Sequence, residues 1–203
     1  LASFLLLMLF MPSTTWATNA RHLLAATLYV ENWALAFDAV DYLAQDDQGN
    51  MVTHYWSLSV EEQFYVFLPL AMLLSILLAK AFFNKLNLRR FFIGLLALVG
   101  VVSFAYSVFF TYQDQPQAYF ITPTRMWEFV VGGLIALVGI RIRGLVGNVL
   151  GIAGILMIVI AAVVFSGDSP FPGYIALLPV LGAGLLLIAG NETPGTGVYW
   201  WAS

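Results

Sequence analysis

Long apolar runs separated by short polar breaks dominate the chain. Residues 1–11 are apolar but cover only about half of the ~20 residues one membrane crossing needs. Pro12-Ser13-Thr14-Thr15 breaks this run. No charged region precedes it, as one would in a signal peptide, so it reads as the tail of a truncated helix. Further runs cover residues 20–37, 64–79 (extendable to 83), 91–112, 125–140, 146–165 and 174–189. The pattern predicts an all-α, polytopic transmembrane helix bundle with six full spans and one truncated N-terminal span.

The breaks assign sides. Lys80, Lys85, Arg89 and Arg90 are half of the chain's eight basic residues. A loop so rich in Lys and Arg faces the cytoplasm, and Arg141 and Arg143 mark the same side. Alternation then puts residues 38–59 and 113–124 together on the extracytoplasmic face. Within the first of these, Asp46-Asp47-Gln48-Gly49-Asn50 lacks the spacing of a calcium loop and reads as a solvated turn. Gly151, Gly154, Gly182 and Gly184 are small enough to let helices pack closely.

Composition narrows the chemistry. The chain is 61% hydrophobic and only 9% charged, where soluble domains are about 45–50% apolar. Its net charge of −3 is small and says nothing about nucleic acid, but no basic run is present to bind a phosphate backbone, so no nucleic-acid partner is expected. It has no cysteine, which removes disulfides, thiolate nucleophiles and cysteine metal sites, and only two histidines, so no metal centre is expected. His22, beside Arg21, reads as an interfacial anchor. No phosphate loop and no Gly-x-Ser-x-Gly elbow occurs.

Polar chemistry is concentrated in His54-Tyr55-Trp56-Ser57-Leu58-Ser59-Val60-Glu61-Glu62-Gln63-Phe64-Tyr65. Ser59 with Glu62 forms a capping-box pattern, which predicts a helix starting at Ser59. That would account for Glu62 but not for Glu61, Gln63 and His54. Adjacent side chains point about 100° apart, so one carboxylate could cap while the other faces a cavity. Ser57 and Ser59 have no recognisable triad and suit cap or hydrogen-bond roles; His54 beside Trp56 suits either a packed anchor or a base. Downstream, Thr122-Pro123 reads as an N-cap with proline in the first helical position. Arg125 then falls in the first turn, where a cation opposes the helix dipole, and Glu128 shares its face. An unpaired charge near a span's centre costs about 2.5–3.5 kcal/mol, so the two are expected to pair. The pair is either a self-contained anchor or an interior group close to Glu61 or Glu62.

The stretch from His54 to Tyr65, followed by Pro69, resembles the signature of the acyltransferase 3 family. Asn32-Trp33 is similar to that family's Asn-Trp element. Tyr119-Phe120, Thr124-Arg125-Met126-Trp127-Glu128 and Gly132 are similar to its downstream element. For Asn32, taken alone, an interhelical hydrogen bond is the competing role. The resemblance implies a membrane enzyme that moves acetyl or other acyl groups onto hydroxyls of envelope carbohydrates. It implies Glu61, Glu62, Arg125, Glu128 and His54 as catalytic candidates, and Trp56, Ser57, Ser59, Gln63, Asn32 and Tyr119 as substrate contacts. Acyl-CoA is the implied co-substrate, with no bound cofactor. A carbohydrate or lipid-linked glycan is the implied acceptor, membrane lipid the surroundings, and the bacterial inner membrane the location. The family's usual catalytic histidine lies in a first span not represented here. Residues 1–203 are therefore expected to be the middle of one membrane acyltransferase domain, without its first and last spans, and inactive alone. The competing class is a transporter or flippase, which also keeps charges in spans. A purely structural subunit would not need Glu61, Glu62, Arg125 and Glu128.

Overall fold

The computed structural model describes residues 12–41, 52–82, 87–140, 142, 144–166 and 169–189. Among these there are helices and no strand. In chain order they are α1 (Trp16–Thr27), α2 (Glu31–Asp41), α3 (Tyr55–Phe82), α4 (Leu88–Gln113), α5 (Gln115–Phe120), α6 (Thr122–Val138), α7 (Gly144–Val164) and α8 (Leu177–Ala189). Short 3₁₀ turns, Ser13–Thr15 and Tyr174–Ala176, lead into α1 and α8. The run 1–11, the connector centre 46–50, Lys85, Arg141, Arg143, Gly167, Asp168 and residues 191–195 lie outside the described residues.

Three helices, α3, α4 and α7, are long and apolar enough to cross a membrane. Their outer faces carry exposed Leu70, Leu73, Leu77, Leu98, Val101, Val102, Val149, Ile152 and Val163. An apolar surface of that extent suits hydrocarbon, not water. Of the remaining expected spans, α6 has 17 residues. The stretch 174–189 begins as a 3₁₀ turn before α8.

The expected span 20–37 is not one helix. α1 ends in a Schellman turn, with the Val30 N–H on the Ala25 carbonyl (2.8 Å) and the Tyr29 N–H on Ala26 (3.2 Å). Tyr29 takes the left-handed position, φ 55°, usually filled by glycine. The chain then folds back, so that Asp38 near the end of α2 reaches Arg21 and His22 on α1. A continuous helix would separate residues 22 and 38 by about 24 Å. The arms, 12 and 11 residues long, each span only about 16–18 Å.

Helices α3, α4 and α6 make the centre. Phe64, Ala71, Phe92, Leu96 and Val130 form one buried cluster, and the Phe64 ring stacks on Phe129 with centroids 5.1 Å apart. Asn87 caps α4 by accepting from the Arg90 N–H at 3.3 Å. α4 and α6 run antiparallel: Arg89 donates to the Leu137 carbonyl at one end, while Ser103 meets Pro123 and Trp127 towards the other. The Ser103 hydroxyl donates to the Pro123 carbonyl (2.6 Å) and accepts from the Trp127 N–H (3.0 Å), joining α4 directly to the backbone of α6. α7 and α8 pack backbone to backbone as their glycines predict. A methyl added at Gly154 would meet the Gly182 carbonyl oxygen at 2.6 Å. The turn before α8 is tied to the α4–α5 corner by Gln115, which donates to the Ser169 carbonyl at 2.7 Å.

Candidate active site

Three polar stretches far apart in sequence meet at one end of the bundle. Asn32, at the start of α2 and fully buried, donates to the Phe120 carbonyl (3.1 Å) and the Thr122 hydroxyl (3.0 Å). Its own carbonyl accepts from Gln63 Nε2 of α3 at 2.9 Å, and the same Nε2 reaches the Tyr29 carbonyl at 2.7 Å. Gln63 Oε1 accepts from Trp33 Nε1 (3.2 Å) and from the Thr122 hydroxyl. Asn32, Gln63 and Thr122 thus form a closed network that uses both ends of each amide. A network satisfied in this way resists rearrangement, because breaking one bond leaves a buried polar group unpaired.

Next to this network sits Arg125, only 8% exposed. Its guanidinium carbon lies 5.2 Å from the Trp56 ring centre, 5.1 Å from Tyr119 and 4.9 Å from Phe171. Aromatic faces attract a cation, most strongly where water is excluded. Arg125 Nη1 also donates to Glu128 Oε1 at 2.9 Å. The pair forms one end of a cavity of about 450 Å³ between α6 and α8, whose walls include Phe129, Val131, Gly132, Val180, Ala183 and Leu187. A guanidinium has five N–H donors, so a cation so held can serve an anion or a developing oxyanion as well as Glu128.

The sequence-predicted residues divide. Asn32, Gln63, Trp56, Tyr119, Arg125 and Glu128 come together. Trp56 and Tyr119 do so as walls against Arg125, and their rings touch at 5.0 Å. Glu61 and Glu62 are half-buried on α3 and do not line the cavity. No ion pair or hydrogen bond joins either to another described residue. His54 is exposed, and its carbonyl accepts from the Ser57 hydroxyl at 3.5 Å.

Two expected caps are corrected. α3 starts at Tyr55, so Ser59 lies inside it and its hydroxyl donates back to the Tyr55 carbonyl at 2.9 Å; Ser59 and Glu62 form no capping box. The N-cap of α6 is Ile121, and the Thr122 hydroxyl serves the network instead. The stretch 113–123 is not a plain loop, since it contains α5, capped by Asp114 accepting from the Gln117 N–H at 3.0 Å.

Sequence reasoning missed Phe171, whose approach to Arg125 depends on how the α7–α8 hairpin packs. It also missed His22, read as an interfacial anchor. His22 is 2% exposed, with Nδ1 2.8 Å from Glu31 Oε1 and Nε2 2.9 Å from Asp38 Oδ2. The available signal was three ionisable residues, Arg21, His22 and Glu31, inside one apolar run, with Asp38 at its border, in a chain with 9% charge.

These features define an integral membrane protein, all-helical where described, with a polar and aromatic site at one end of its helices. The chain belongs to the acyltransferase 3 family: the family model, described as an acyltransferase domain, matches residues 1–202. O-acetyltransferase OatA of Staphylococcus aureus (strain NCTC 8325) is 30% identical over 118 residues, which is 58% of this chain and 18% of that protein. A Staphylococcus aureus (strain COL) protein carried under the provisional name O-acetyltransferase is 32% identical over 114 residues, 56% of this chain and 18% of its own length. The chain thus covers less than a fifth of these relatives. No solved structure matches.

Proposed function

We propose that this chain is part of a membrane O-acyltransferase that moves an acetyl or other acyl group from a cytoplasmic donor, acyl-CoA by class, to a hydroxyl of a cell-envelope carbohydrate in the bacterial inner membrane. The observation that carries the reading is the meeting of the Asn32, Gln63 and Thr122 network with the caged Arg125 beside an apolar cavity. Acyl transfer needs a base for the acceptor proton and donors for the oxyanion. Arg125 is the donor, oriented by Glu128 and the three rings. Glu61, Glu62 and His54 are the candidate bases or proton carriers, and Ser57 is an accessible polar contact for the acceptor.

One observation favours the transporter reading: broken helices line transporter routes, and the run 20–37 is broken at Tyr29. The described residues show no second break related to it by symmetry. The test is transfer of label from radioactive acetyl-CoA to envelope carbohydrate in membranes carrying the full-length enzyme of which residues 1–203 are part. Transfer that is lost in Arg125→Ala at equal protein level is the expected result. Carbohydrate or lipid movement without any acylation would support the transporter instead.

A further inference from the structure

The cluster of Arg21, His22, Glu31 and Asp38 lies outside the site described above. Its geometry rules out a shared metal ion: the two carboxylates sit on opposite nitrogens of one imidazole, so the three groups cannot converge on a single cation. Substrate cannot reach the ring either, since it is 2% exposed with both nitrogens engaged. Each ring nitrogen faces one carboxyl group, Nδ1 that of Glu31 and Nε2 that of Asp38.

Glu31 and Asp38 are seven residues apart on α2, on nearly the same face of the helix. The ring of His22 therefore grips α2 at two points almost two turns apart, and Arg21 holds Asp38 from the side. A helix gripped twice along one face cannot turn about its axis without breaking both contacts. Asn32 directly follows Glu31, about 100° around the helix, and donates to Phe120 and Thr122 on the far side. Thr122 opens α6, three residues before Arg125.

We propose that His22 is a positioning residue for the acyl-transfer site, fixing the rotation of α2 so that Asn32 holds the start of α6 and with it Arg125. This rests on the acyltransferase reading for its catalytic consequence, but the mechanical coupling stands apart from it. Two measurements on the protein in its membrane test it. The first is hydrogen exchange at residues 117–124 in His22→Ala. Coupling predicts exchange faster by about tenfold there, across the interface from the substitution. Exchange confined to α1 and α2, with 117–124 unchanged, would overturn the proposal.

The second is a double-mutant cycle on transfer from acetyl-CoA by the full-length enzyme. His22→Ala is expected to lower kcat about tenfold with KM for acetyl-CoA little changed, and His22→Ala with Asn32→Ala to fall no further than Asn32→Ala alone. Losses that multiply would show independent sites and overturn it. Should His22→Ala fail to insert, His22→Gln keeps one donor and is read by the same exchange; normal exchange at 117–124 in that variant also overturns the proposal. Absence of transfer by the unaltered protein would remove the acyltransferase reading alone, and the exchange arm would still decide the coupling.

Discussion

Arg125 owes its place to partners rather than to helix propensity. A cation in the first turn of α6 opposes the helix dipole, a cost of roughly 0.3–1 kcal/mol. Glu128 and the rings of Trp56, Tyr119 and Phe171 offset it. Lysine keeps the charge but not the flat, stackable guanidinium. Arg125→Lys is therefore expected to lower turnover by about tenfold or more while the protein still inserts. Exchanging the charges, Arg125→Glu with Glu128→Arg, moves the cation about one turn along the helix and out of the aromatic cage. The double variant is expected to insert and stay inactive; full activity would remove the pair from the site. For the signature carboxylates, Glu61→Gln or Glu62→Gln is expected to lower turnover more than protein level. Capping cannot mask that result, because α3 begins at Tyr55. For the same reason Ser59→Ala is expected to cost less than the about 0.5–2 kcal/mol of a lost cap, as thermal inactivation would show.

Among the elements, the α7–α8 pair is the one most exposed to small changes. Its close approach puts backbone, not a flexible side chain, where a Cβ on Gly154 or Gly182 would go. The helices must separate to admit a methyl. Gly154→Ala is expected to cost about 1–3 kcal/mol, read as a lower thermal-inactivation temperature in detergent. Because Phe171 leads into α8 and forms one wall around Arg125, the same variant should also weaken turnover. The α1–α2 hairpin behaves differently: its arms meet through an arginine, a histidine and two carboxyl groups, so its weak points are polar contacts rather than packing.

At the scale of the molecule, the hairpin changes the topology that hydropathy implies. A single span over residues 20–37 would put Thr14 and His54 on opposite sides of the membrane. A hairpin that returns on itself puts them on the same side. The 203 residues contain no cysteine, so introduced thiols can be read against a clean background. In intact cells an impermeant thiol reagent is expected to label both Thr14→Cys and His54→Cys and to leave Lys80→Cys unlabelled. Labelling of only one of the first two would restore the through-going span. The basic residues Lys80, Arg89 and Arg90 set the side of the α3–α4 loop, and Arg89 reaches the Leu137 carbonyl at the same end of the bundle.

The sequence alone determined the helical membrane class, the positions of α4 and α7, the apolar body of α3 though not its start, and the glycines that allow close helix packing. Each follows from local or compositional physics: apolar length, charge asymmetry and residue size. It also supplied most of the residues that meet at the site, because their motif spacing carries the family resemblance. Tertiary structure alone decided how they meet. Trp56 and Tyr119 became walls for Arg125, Thr122 left its expected cap for a network with Asn32 and Gln63, and Phe171 arrived from another hairpin. It also decided the fold-back at Tyr29. A bulky residue at positive φ carries no sequence signal for a turn, since glycine is the residue that favours it. What holds the fold-back is the burial of His22 between Glu31 and Asp38, contacts nine and sixteen residues apart that no local pattern encodes.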